Sequence, residues 1–123
     1  MHIRDEEELF LILNLLEEPD PQYKRQLTEA GYFDENENIT PKAEEFVEEF
    51  IKSRQDKVFA AVEKNGSYFK DKGYVLLEAG LKKTLAVELI LEDLVKQGRL
   101  KRKSGHGYIV RCGYNHPPID NNI

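Results

Sequence analysis

The sequence predicts a mainly helical protein with one small β-hairpin near its end. Three observations carry that expectation: apolar residues recur at helical spacing through most of the chain, Pro and Gly punctuate the segments, and the pattern turns to alternation after Gly98. The chain has 123 residues, with 18 Lys and Arg, 23 Asp and Glu, and 40% apolar side chains. That length holds one domain or two very small ones, and the apolar content is too high for wholesale disorder.

Leu9, Ile12, Leu13 and Leu16, widened by Phe10, Leu11 and Leu15, predict a first helix from Glu6 to Glu18. Pro19-Asp20-Pro21 stops it. Asp20 as N-cap and Pro21 in the first helical position then start a second helix through Ala30, closed by Gly31. Tyr32-Phe33 reads as a short strand, residues 34–38 as a polar turn and Ile39 as a second extended piece, before the cap pair Thr40-Pro41. Ala43, Phe46, Val47, Phe50 and Ile51, then Val58, Phe59 and Val62, keep helical spacing up to Asn65-Gly66. The polar run from Lys52 to Lys57 leaves two readings, one long helix or two abutting ones.

Beyond Gly66, Ser67 to Lys70 is short enough to be extended, Asp71-Lys72-Gly73 reads as a turn, and Tyr74 to Ala79 as a small helix closed by Gly80. A longer helix runs from Lys82-Lys83-Thr84 to Gln97. Arg99 to Lys103 and Tyr108 to Arg111 alternate as strands around Ser104-Gly105-His106-Gly107, residues that tolerate positive φ. Residues 113–123 have no periodicity and read as a loosely ordered tail.

Charge divides the chain. The net of −5 combines 15 acids and five bases in residues 1–52 with eight acids and 13 bases in residues 53–123. No acid lies between Asp93 and Asp120, whereas six bases do, so the positive field is focused on the hairpin segment.

Helix, short helix, turn Gly80-Leu81, longer helix and hairpin, over residues 53–112, is an order that resembles the winged helix-turn-helix superfamily. The most specific stretch is Leu91-Glu92-Asp93-Leu94-Val95-Lys96-Gln97-Gly98-Arg99-Leu100, similar to the end of that family's recognition helix: two leucines three apart, a polar turn, Gly, then the first wing strand. Residues 1–52 form an acidic helical half with two readings. One is a degenerate second copy, which makes the chain a tandem; the other is a helical extension that covers the core or mediates dimerisation.

The resemblance implies double-stranded DNA as partner and transcription regulation as setting, with the wing on phosphate. Carried over by position, Lys82, Lys83 and Thr84 face phosphates at the helix start, and Arg99, Lys101, Arg102, Lys103, His106 and Arg111 form the wing surface. Among the aromatics interleaved with bases (Tyr68, Phe69, Tyr74, Tyr108, Tyr114), Tyr108 beside the wing turn is the candidate for contact. One departure from the family stands out. With Val87, Leu91 and Leu94 inward, the helix presents Leu85, Glu88, Leu89 and Glu92 outward, a face without Arg, Asn or Gln for reading bases. Leu85, Glu88 and Leu89 suit instead a homodimer or a protein partner, which gives the second function class: an interaction module such as an adaptor or an inhibitor of a host complex.

Other classes fall away on chemistry. The longest apolar run, Leu9 to Leu13, is far short of the roughly 20 residues of a membrane span. The first eight residues are acidic where a secretory signal is basic, so the expected location is intracellular and cytoplasmic. Cys112 has no partner for a disulfide, and Cys112 with His116 lacks the orienting third group of a nucleophile–base pair. His2, His106 and His116 show no ligand spacing, Glu44-Glu45 and Glu48-Glu49 read as a solvated helix face, and Gly105-His106-Gly107 lacks the Lys-Ser/Thr of a phosphate loop. The expectation is a non-enzyme with no cofactor, no metal and no small-molecule substrate.

Overall fold

A computed structural model describes residues 5–111, and the chain divides into two compact units at Ser53 and Arg54. Cys112, Tyr114, His116 and the tail of residues 113–123 lie outside the described residues, as does His2. The described elements are mainly helical with a two-stranded antiparallel hairpin.

The first unit holds α1 (Glu6–Leu13), α2 (Pro21–Glu29) and α3 (Pro41–Lys52), with one antiparallel bridge between Phe33 and Ile39. Side-chain oxygens open all three helices. Asp5 accepts from the Glu7 and Glu8 N–H groups at 2.9 and 3.3 Å, Asp20 from Tyr23 at 2.8 Å, and Thr40 from Ala43 at 3.3 Å. Leu9, Ile12 and Leu13 of α1 pack with Tyr23 and Leu27 of α2, Tyr32, Phe33 and Ala43. Phe10 and Phe50 stack at 4.0 Å between centroids and tie α1 to α3.

The first helix stops five residues before the expected Glu18. Leu15 takes a left-handed conformation at φ 62°, its N–H donates to Ile12 O at 3.0 Å, and the Leu16 N–H reaches back to Leu11 O at 2.9 Å. These two bonds are the Schellman closure that glycine normally supplies. The Asn14 amide donates to Phe10 O at 2.7 Å and completes it. Leu15 and Leu16, expected on the packed stripe, are exposed.

The second unit holds α4 (Gln55–Asn65), α5 (Lys72–Ala79), α6 (Thr84–Lys96), β1 (Leu100–Lys103) and β2 (Gly107–Val110). The polar run from Lys52 to Lys57 thus holds the break between two helices, at Ser53 and Arg54. The Ser53 hydroxyl donates to Phe50 O at 3.0 Å, and Arg54 leaves helical geometry at φ −121°. Residues 71–73 are not a free turn: Asp71 accepts the Tyr74 N–H at 2.9 Å and caps α5, which starts at Lys72. α4 packs on α5, α6 and β2, burying Val58, Phe59 and Val62 with Val75, Val87, Ile90, Leu91, Leu94 and Leu100. Burying that many large apolar side chains, each contributing about 1.5–3 kcal/mol, is what holds so small a unit together.

In the hairpin, Leu100 faces Val110, Lys101 faces Ile109, Arg102 faces Tyr108 and Lys103 faces Gly107. The segment after α4 docks along it: the Tyr68 N–H donates to Tyr108 O at 2.9 Å and the Phe69 N–H to His106 O at 3.1 Å. Gly107 is fixed by this docking. Its φ is +73°, and a Cβ there would meet the Phe69 ring at 2.6 Å.

Candidate nucleic-acid interface

Alternation along β1 sorts its cations. Leu100 is buried in the core, Arg102 lies on the same side, and Lys101 and Lys103, one residue out of phase, point to the opposite face and are exposed. Arg102 turns toward α6. Its Nε donates to Glu92 Oε2 at 2.9 Å and its second nitrogen to Glu92 Oε1, while the Tyr108 hydroxyl donates to the same carboxylate. The paired guanidinium and the phenol hold the Glu92 carboxyl down to about 2. Burial, reinforced by Glu92, pushes the Tyr108 phenol up to about 12, so it remains a donor. Burial and the nearby Glu88 charge likewise raise Tyr68.

One expected surface residue, Arg99, is therefore corrected, and two others, Arg102 and Tyr108, are engaged within the protein. Arg99 is not on the wing surface: its side chain is 11% exposed, it pairs with Asp56 at 3.2 Å, and its guanidinium lies 4.6 Å from the Phe59 centroid. Position 99 precedes the strand and turns inward, where an aromatic face and a carboxylate accept the charge. Arg102 stays partly exposed but is committed to Glu92. Tyr108 is half-buried, with its ring 5.9 Å from Tyr68 and its hydroxyl on Glu92. The aromatic that does reach the surface is Phe69, 49% exposed beside the hairpin turn, with the Lys72 ammonium 4.5 Å from its centroid. Its signal in the sequence was its neighbourhood of bases, shared with four tyrosines, and nothing local distinguished it.

The remaining expected residues are exposed: Lys82, Lys83 and Thr84 at the start of α6, and Lys101, Lys103, His106 and Arg111 on the hairpin. Lys83 occupies the N-cap of α6 without a side-chain cap bond, and its backbone carbonyl accepts from the Ala86 N–H at 3.1 Å. Arg111 lies across the α6–β1 joint; a Cβ on Gly98 would meet its guanidinium at 3.0 Å. On the outward side of α6, Leu85 is 47% exposed, whereas Glu88, Leu89 and Glu92 are half-buried.

Among the described residues no group of three or more His, Cys, Asp or Glu is arranged to hold a metal ion, and no helix is long and apolar enough to cross a membrane. Comparison with known protein families, with curated proteins and with solved structures gives no match to this chain.

Proposed function

We propose that the second unit is a winged helix that binds duplex nucleic acid through its phosphates, in the service of transcription regulation. The observation that carries this reading is the sorting of charge across the hairpin. Lys101 and Lys103 occupy its outward face, while Glu92, one of three acids on α6 with Glu88 and Asp93, is paired with Arg102. Lys82 and Lys83 add two exposed ammonium groups at the start of α6, where the helix dipole also favours an anion. Because the outward face of α6 carries Leu85, Glu88 and Leu89 and no bidentate base reader, the binding is sequence-tolerant.

The test is fluorescence anisotropy of a labelled random-sequence duplex titrated with the full chain across a salt series. About four phosphate contacts give a log–log slope near −3 to −4. Reversing Lys101 and Lys103 together to Glu abolishes binding while the melting temperature stays within a few degrees; unchanged affinity in that variant, or no wild-type binding at low salt, rejects the reading.

A second reading rests on Leu85, whose exposure at 47% on the outward side of α6 suits a protein contact rather than phosphate. Under it the unit is a scaffold for a partner or a second copy. Leu85→Lys then disperses a complex measurable by light scattering and leaves the fold intact.

A further inference from the structure

The first unit carries a cleft of about 470 Å³ whose apolar lining includes Ile12, Leu15, Leu16 and Phe33. Leu15 is 84% exposed and Leu16 42% exposed. Among the described residues, the non-glycine positions with positive φ are Leu15, at 62°, and Glu37, at 66°, and both line this cleft. A leucine in that conformation is strained and, so exposed, contributes little burial; glycine would close α1 more easily.

The rim is acidic. Glu17, Glu18 and Glu37 line the cleft with one cation, Lys24, which pairs with Glu37, so the lining keeps a net negative charge. We propose that this cleft docks a basic segment of a partner protein, seating one large apolar side chain against Leu15 and Leu16 with a Lys or Arg beside it over Glu18. The proposal is independent of nucleic-acid binding by the second unit. Charge complementarity selects the occupant: an apolar floor inside a carboxylate rim favours a cationic segment with an apolar anchor and repels an acidic one.

The experiment titrates the full chain into a fluorescein-labelled hexapeptide, Lys-Arg-Phe-Leu-Arg-Lys, and into two twins, one with Glu at the four basic positions and one with Ser for Phe-Leu. The basic apolar peptide binds at least tenfold tighter than either twin. Leu15→Gly weakens it at least fivefold while raising the melting temperature by about 2–4 °C, so that the loss of binding is not a loss of fold. Glu18→Lys weakens it as well, and Glu44→Lys, on exposed α3 surface outside the lining, does not. Equal binding of the twins, or full affinity in Leu15→Gly, overturns the proposal. So does a wild-type dimer in light scattering that Leu15→Gly returns to monomer, which assigns the cleft to a second copy of this chain.

Discussion

The two units make the same joints from different residues and then put opposite charges on them. In each, a short helix closes with a 6→1 and a 5→2 bond: Leu16 to Leu11 and Leu15 to Ile12 after α1, Leu81 to Leu76 and Gly80 to Leu77 after α5. The next helix ends the same way, at Gly31 after α2 and at Gly98 after α6, with Tyr32 donating to Leu27 O and Arg99 to Leu94 O, both at 3.0 Å. The chain then turns out and back, closed by Thr40 onto Tyr32 O and by Arg111 onto Arg99 O, both at 3.2 Å. Beyond the joint they diverge. The first unit has a single bridge around an acidic loop in which Asp34 accepts from Asn36 and Asn38, and the second has four paired positions with Lys101 and Lys103 outside. The joint is thus a matter of backbone and packing, while what projects from it differs between the units in length and charge.

The comparison breaks most sharply at the leucines whose carbonyls close the joints. Leu27 and Leu94 are both fully buried, so Leu27→Ala and Leu94→Ala each destabilise by about 2–5 kcal/mol. Denaturant titration of each checks this, and costs within about 1 kcal/mol of one another mean the joints are equivalent. Next come the glycines. Gly107→Ala meets both a positive φ and the Phe69 ring, for about 2–4 kcal/mol, whereas Gly31→Ala meets only the positive φ, with Lys42 at 3.5 Å, for about 1 kcal/mol. The smallest effect sharpens the contrast in charge. Glu92→Gln at pH 7 lowers the melting temperature by only about 1–3 °C, because Arg102, its ion-pair partner, is exposed to solvent. Since folding lowers the Glu92 carboxyl from 4.5 to about 2, its contribution is complete above about pH 5 and fades as pH falls through 2, where variant and wild type converge. The same substitution releases Arg102, so in the duplex titration it tightens binding and steepens the salt slope by about one contact.

Much of the fold was legible where chemistry is local. Asp20-Pro21, Thr40-Pro41 and Gly98 mark element ends because caps and left-handed residues act within four positions, and the hairpin follows from alternation around a Gly-rich turn. The end of α1 was not legible, since the residue taking the glycine role there is Leu15. The site divides similarly. Strand alternation places Lys101 and Lys103 outward, but the inward fate of Arg99 depends on Asp56 and Phe59, some forty residues earlier, and the pairing of the exposed Arg102 on Glu92 across a helix end. Phe69 and Tyr108 exchange expected roles for the same reason: which aromatic stays at the surface is decided by a docking between segments that no local pattern records.

That docking also sets an order of events during synthesis. Tyr68 and Phe69 emerge from the ribosome about forty residues before the strand that receives their N–H groups, while the bridge between Phe33 and Ile39 is local. The first unit is complete as soon as α3 has emerged, and the second must keep Phe69 and its neighbours waiting until Tyr108 arrives. A nascent chain paused near residue 100 is therefore a half-built protein whose acidic unit is finished and whose basic hairpin does not yet exist.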